Sequence, residues 1–209
     1  MKKQAILLLS IISAALFANS QPNSGWILKT SLGDTFFGDR ITKSWSPNIV
    51  FETSEKKKAS FQIEAGPILM SKHANILFVD VDKITGIRIN PSIKRYLGNS
   101  SQNNQGLNLA IDCNTLYTKA TVSFSEAVVK RLVLAPHINI GYQSISKRNF
   151  VFEVCAGLGP GFVVSTSSID RDKLGISNTY RGILYEGGSG VYLSYHFDVK
   201  LGYQISHKP

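Results

Sequence analysis

Val191-Tyr192-Leu193-Ser194-Tyr195-His196-Phe197-Asp198-Val199-Lys200-Leu201-Gly202-Tyr203-Gln204-Ile205 alternates without a break. Its odd positions are Val, Leu, Tyr, Phe, Val, Leu, Tyr and Ile; its even positions are Tyr, Ser, His, Asp, Lys, Gly and Gln, and Ser206 continues them. A period of two puts one set on each side of an extended strand. A helix would scatter the apolar residues around its circumference, so this stretch predicts a strand with one apolar and one polar face.

The same pattern recurs upstream. Phe150, Phe152, Val154, Ala156, Leu158 and Phe162 oppose Glu153, Cys155, Gly157, Gly159 and Gly161. Leu132, Leu134, Pro136, Ile138, Ile140 and Tyr142 oppose Arg131, His137, Asn139, Gly141 and Gln143. Shorter versions centre on Ile111, Ile89, Ile63, Phe51 and Leu28, which makes eight strands. Most exceed the usual length of about 5–6 residues and suit the roughly 9–11 residues that a tilted membrane strand needs. Ser125 to Val133 is a weak helical candidate, and no helix is required elsewhere. Long links are expected near 34–45, 71–84, 118–130 and 165–190, and shorter ones near 54–59, 98–105 and 145–149. Long loops on one rim and short turns on the other is the layout of an outer-membrane barrel. The expected fold is therefore all-β: an eight-stranded antiparallel up-and-down transmembrane barrel, with short periplasmic turns and longer extracellular loops.

The N-terminus supplies the compartment. Lys2 and Lys3 precede an apolar run from Ala5 to Phe17, and Ala18-Asn19-Ser20 offers small residues for cleavage. This is the layout of a secretory signal peptide over 1–20, leaving 21–209 as one barrel domain. The apolar run falls short of the roughly 20 residues that span a bilayer as a helix. The formal charge of +9 is scattered, and export removes nucleic acid as a partner; a basic surface beside anionic lipid accounts for it. Cys113 and Cys155 fall on opposite faces of their strands, so they are expected to stay unpaired.

Alternation alone does not say which face is inside. A lipocalin-like secreted barrel turns its apolar face inward, and a membrane barrel turns it to lipid. The polar face is rich in Gly, and its charges nearly balance. Its acids are Glu52, Glu64, Asp112, Glu153 and Asp198; its bases are Lys29, Arg88, Lys94, Arg131 and Lys200. With His137 and His196 they form the expected polar network of a narrow lumen, where opposite charges must pair. Glu64, Glu153, Arg88 and Arg131 are expected to do so. Trp26, Tyr117, Tyr142 and Tyr203 lie near strand ends, as an interfacial girdle would.

With Ile27-Leu28-Lys29-Thr30 at the first strand, Asn90-Pro91-Ser92-Ile93-Lys94-Arg95-Tyr96 mid-chain and Leu201-Gly202-Tyr203-Gln204 near the end, the chain resembles small outer-membrane barrel proteins of the OmpA/OmpX-like kind, including uncharacterised outer-membrane β-barrel domain families. The resemblance implies the outer membrane as location, with its lipid and the barrel-assembly machinery as partners. Such barrels end on an aromatic residue that this machinery recognises. Here the chain runs on through Ser206-His207-Lys208-Pro209, leaving Tyr203 or Ile205 as the signal.

Catalytic motifs are missing: there is no Gly-x-Ser-x-Gly, His-Glu-x-x-His or phosphate loop. Ser194, His196 and Asp198 share a strand face, but residues two apart lie roughly 6.6 Å apart at Cα, so they read as lumen hydrogen bonding. Asp170-Arg171-Asp172 reads as a solvated loop tip, and no metal, cofactor or catalytic residue is assigned. The expected function is non-enzymatic: a structural, adhesion or surface-interaction role, with the 165–190 loop offered to an extracellular ligand or surface partner. The alternatives are a lipid-directed enzyme, a narrow pore, or a secreted lipocalin-like ligand-binding barrel.

Overall fold

A computed structural model describes residues 25–32, 46–54, 59–70, 74–76, 79–97, 104–122, 128–168 and 188–205. The expected signal segment, the 34–45 link, Asp170 to Asp172 and the residues after Ile205 lie outside the described residues. Nine strands follow in order: β1 (Gly25–Ser31), β2 (Ile49–Ser54), β3 (Ala59–Met70), β4 (Ala74–Ile76), β5 (Val79–Tyr96), β6 (Gly106–Val122), β7 (Val128–Ile145), β8 (Phe150–Ser167) and β9 (Gly188–Ile205). Each of the eight longer strands pairs antiparallel with its chain neighbours. β3 pairs β5 directly, and β1 pairs β9, which closes the ring. The short β4 pairs with the start of β5 alone. The chain is thus an all-β, eight-stranded, up-and-down barrel, with no helix among the described residues.

The link expected over 118–130 is corrected. Strands β6 and β7 run on to Val122 and back from Val128, so the interval between them is 123–127, and Val128 to Val133 is strand rather than helix. Val79 to Ile84 and Ser165 to Ser167 are likewise strand. The reason lies in the outward row Thr85, Lys119, Lys130 and Thr166, joined across β5, β6, β7 and β8. Here the outward side chains turn polar while the ladder continues, so alternation fades before the strands end.

Below that row the outward face is largely apolar, with Arg95 of β5, opposite Leu109, a charged exception. The register joins Phe61, Ile93, Ile111, Ile138, Leu158 and Tyr195 across six strands in one outward row. Ile138 and Ile111 are 69% and 65% exposed. Leu107 to Tyr117 on β6 and Leu132 to Tyr142 on β7 each cover 11 residues counted inclusively. At roughly 3.3 Å per residue and a tilt of about 45°, that is a band ~26 Å tall. Tyr117 sits at one edge of it; Tyr142, Tyr203 and Phe150 sit towards the other, with Tyr203 opposite Phe150.

The opposite parity lines the lumen. Its middle is polar, but its long-loop end is filled by Ile68, Ile84, Leu116, Val129, Val133 and Val163, all buried. The polar lumen that composition suggests is therefore only part of the interior. Cys113 and Cys155 are both free.

At the short-turn rim, Ser146 to Asn149 link β7 to β8. Ser146 N donates to Phe150 O at 2.8 Å, and Asn149 N donates to Ser146 O at 2.9 Å. Asn149 has φ 62°, a left-handed conformation that Asn tolerates better than most residues.

Candidate functional site

All twelve residues assigned to the lumen network face the interior, and all but His196 are buried. They separate into three groups. Nearest the short-turn rim, Lys29 bridges Glu52 and Glu153, and Lys94 bridges the same two acids, at 3.4 Å to Glu52. Two cations and two anions alternate around this ring, so each charge has two opposite neighbours. Neutral donors and acceptors complete it. Tyr96 Oη and Ser60 Oγ each donate to Glu52 at 2.6 Å, and Lys29 Nζ donates to Gln62 and Gln143 at 3.0 Å. Charges removed from water are tolerable only with such complete pairing.

The second group is Lys200 with Glu64 at 3.0 Å and Asp198 at 3.6 Å. Ser31 Oγ donates to Asp198 at 2.8 Å, Asn48 Nδ2 donates to Glu64 at 2.8 Å, and the Arg88 charge adds an attraction to Glu64. Glu64 and Glu153 thus take lysines as their ion-pair partners. Arg131 lies apart, opposite Thr118 and Ser165 towards the long-loop rim, and meets no acid within ion-pair distance among the described residues. Its expected pairing with these acids is corrected. The reason is level: Arg131 stands six residues along β7 from His137, well above the charged layers.

The third group was not legible in the sequence. Asp112 is opposite His137, and Gly159 is opposite Ser194. The β7–β8 pairs on either side, Leu134 with Phe162 and Ile138 with Leu158, put His137 and Gly159 in register too. One row therefore crosses β6, β7, β8 and β9 as Asp112, His137, Gly159, Ser194. His137 Nδ1 is 2.9 Å from Asp112 Oδ1, and His137 Nε2 is 2.8 Å from Ser194 Oγ. The His137–Ser194 contact spans β8, whose residue in that row is Gly159. The same register sets Pro136 against Pro160, neither of which can donate to the ladder.

Asp112 also accepts from Asn139 Nδ2 at 2.8 Å and from Asn90 Nδ2 at 3.4 Å. The His196 ring stacks on His137, with centroids 5.9 Å apart and planes at 27°. Ser194, His196 and Asp198, which share one face of β9, are therefore drawn to different partners: Ser194 to His137, Asp198 to Ser31 and Lys200.

A Cβ at Gly159 would lie 1.9 Å from Pro136 O. Gly159→Ala is expected to destabilise the barrel by about 1–3 kcal/mol as overpacking, read as a lower urea midpoint. An unchanged midpoint would mean that β7 and β8 stand farther apart here than described.

Between the charged ring and the histidines, a cavity lined in part by Ser92, Asp112, Asn139 and His196 is large enough for about one water. Among the described residues, no group of three or more His, Cys, Asp or Glu could hold a metal ion. No protein-family model, curated protein or solved structure matches the chain, so the site is read from its own geometry.

Proposed function

We propose that the protein is an outer-membrane β-barrel of the OmpA/OmpX-like kind, exported by its N-terminal segment and assembled by the barrel-assembly machinery. In this reading it is a plugged membrane anchor, with a structural or surface-interaction role through loops on the long-link rim. The observation that carries this is the outward apolar band. It is free of charge on β6 and β7 over 11 residues each, close to the band of about 25 Å found on membrane barrels. Leu193, Ile138, Val191 and Ile111 are 65–73% exposed on it, and a continuous apolar surface of that size marks a membrane or partner contact. The polar parity turns inward, opposite to the arrangement of a lipocalin-like barrel.

The paired lumen argues against a pore. Eight strands leave an interior that side chains fill, and the alternating ring of Lys29, Glu52, Lys94 and Glu153 crosses it. The purified protein in a planar bilayer is expected to give no steady conductance steps. A reproducible single-channel conductance would contradict the plugged barrel and favour the narrow-pore alternative.

A further inference from the structure

We propose that Lys83, Lys119 and Lys130 form a docking site on the outer wall of the barrel for a lipid that carries more than one phosphate and several acyl chains. The proposal rests on the membrane reading above, since it needs lipid against the wall.

Charge on that wall is sparse and unevenly placed. From Lys83 onward, the outward positions of β5 to β8 hold four charged side chains, all of them basic. Arg95 stands alone towards the short-turn rim. Lys83, Lys119 and Lys130 stand together towards the long-loop rim, on three successive strands, and all three are exposed. Lys119 is directly opposite Lys130, and Lys83 is opposite Thr121, two residues along β6 from Lys119. Opposed side chains on neighbouring strands lie about 4.5–5.5 Å apart at Cβ, and diagonal ones about 7–8 Å. Like charges set directly opposite each other destabilise a strand pair. A surface built only for water intersperses both signs, and here no acid shares the face. The cluster is therefore complementary to an anion that comes from outside the chain.

The rows around it say what kind of anion fits. Thr85, opposite Lys119, and Thr166, opposite Lys130, extend the lysine pair into a polar row across four strands. Two residues along each strand, the row Ile87, Tyr117, Leu132 and Val164 is apolar and 40–53% exposed. With strands roughly 4.8 Å apart, each row is about 14 Å wide, and the two rows stand roughly 6.6 Å apart. Ammonium and hydroxyl groups over an apolar course of equal width match a molecule with anionic groups at one end and hydrocarbon at the other. The apolar row is the top course of the band, so the occupant is a lipid rather than an acidic soluble protein. The width is that of several chains side by side. A phosphate monoester carries about −1.5 to −2 charges at pH 7, so two of them neutralise three lysines. A single phosphodiester leaves most of that positive charge unmatched.

The test uses the full chain refolded in neutral detergent micelles, with bound lipid counted by native mass spectrometry. Diphosphoryl lipid A is the probe; phosphatidylglycerol and inorganic phosphate are the comparisons. Lipid A is expected to bind more tightly than phosphatidylglycerol, and excess inorganic phosphate should not displace it. A lysine beside an anionic lipid surface contributes about a fivefold gain in binding, so Lys119→Gln combined with Lys130→Gln should weaken lipid A by about 25-fold. Lys119→Arg with Lys130→Arg should retain it. Lys147→Gln with Arg148→Gln, in the turn at the other rim, should leave it unchanged. The double glutamine variant should also unfold at the same or a higher urea concentration than the parent without lipid, because the opposed charges are gone, and at a lower one with lipid A present.

Lipid A held equally by the parent and the double glutamine variant, phosphatidylglycerol held as tightly as lipid A, or displacement by inorganic phosphate would overturn the site. Phosphatidylcholine vesicles separate this from the membrane reading. A barrel that inserts into them but shows no preference for lipid A overturns the site alone; one that does not insert overturns both.

Discussion

Glu153→Ala is expected to lower the unfolding free energy of the barrel by about 3–5 kcal/mol. Glu153 is one of the two acids that both Lys29 and Lys94 meet in the charged ring, and its side chain is 1% exposed. Truncation leaves two ammonium groups sharing Glu52 in a layer closed to solvent. Lys29 keeps its amide partners Gln62 and Gln143, but amides offer dipoles where a charge has been lost. Combining Glu153→Ala with Lys94→Ala restores neutrality, with one lysine facing one glutamate. The double variant should therefore recover part of the loss, a coupling that a double-mutant cycle reads directly. Urea unfolding of the refolded protein is the measurement. A barrel turned inside out would carry Glu153 on a solvated surface, and the substitution would then be nearly silent.

Ile138→Arg is expected to cost about 2–4 kcal/mol, as a cation at the midplane of a membrane barrel does. Ile138 is 69% exposed and lies in the middle of the outward row that runs from Phe61 to Tyr195. Its exposure would make an arginine harmless in water, so the sign of the effect depends on what surrounds the wall. Ile138→Leu should cost less than about 1.5 kcal/mol. Thr166→Arg, on the polar row with Lys119 and Lys130, should cost roughly 0–1 kcal/mol near the interface. The three variants together measure where the apolar band begins and ends. Equal stability of Ile138→Arg and Thr166→Arg in lipid would remove the depth dependence on which the membrane reading stands.

What could be read from the sequence was what the backbone period dictates. On a strand, parity alone decides the face, so Phe152 and Glu153 could be sent to opposite sides without knowledge of any neighbour. Strand ends were harder. Outward positions such as Lys119 and Lys130 are polar because they lie beyond the apolar band, and a pattern search mistakes that change for a loop. The short β4 falls within a stretch expected to be a link for a similar reason: three residues carry too little period to register.

Partner choice in the lumen was not legible, because it depends on register and on how strands stagger around the ring. Glu64 and Lys200 are brought together by closure between the first and last strands. Arg131 has the same parity as His137 but sits on another level, and parity carries no information about height. Asp112, His137 and Ser194 are 25 and 57 residues apart in successive steps, with nothing local to join them. Only with the register known do two features of the sequence gain meaning there: Pro136 within a strand, and the lane Gly157, Gly159, Gly161. Both are residues that strands avoid unless a ladder is interrupted or something must pass close by.

The central claim is that the outward apolar band lies in a bilayer. The direct measurement is the collision rate of spin labels with oxygen, which concentrates in lipid, and with a water-soluble nickel chelate. Labels would be placed at Ile138→Cys and Lys130→Cys in a Cys113→Ser background, with the native Cys155 buried in the lumen, and the protein would be reconstituted in lipid vesicles. Oxygen should dominate at position 138, and the nickel chelate should gain strongly at position 130. Free access of the nickel chelate to both positions would contradict the account.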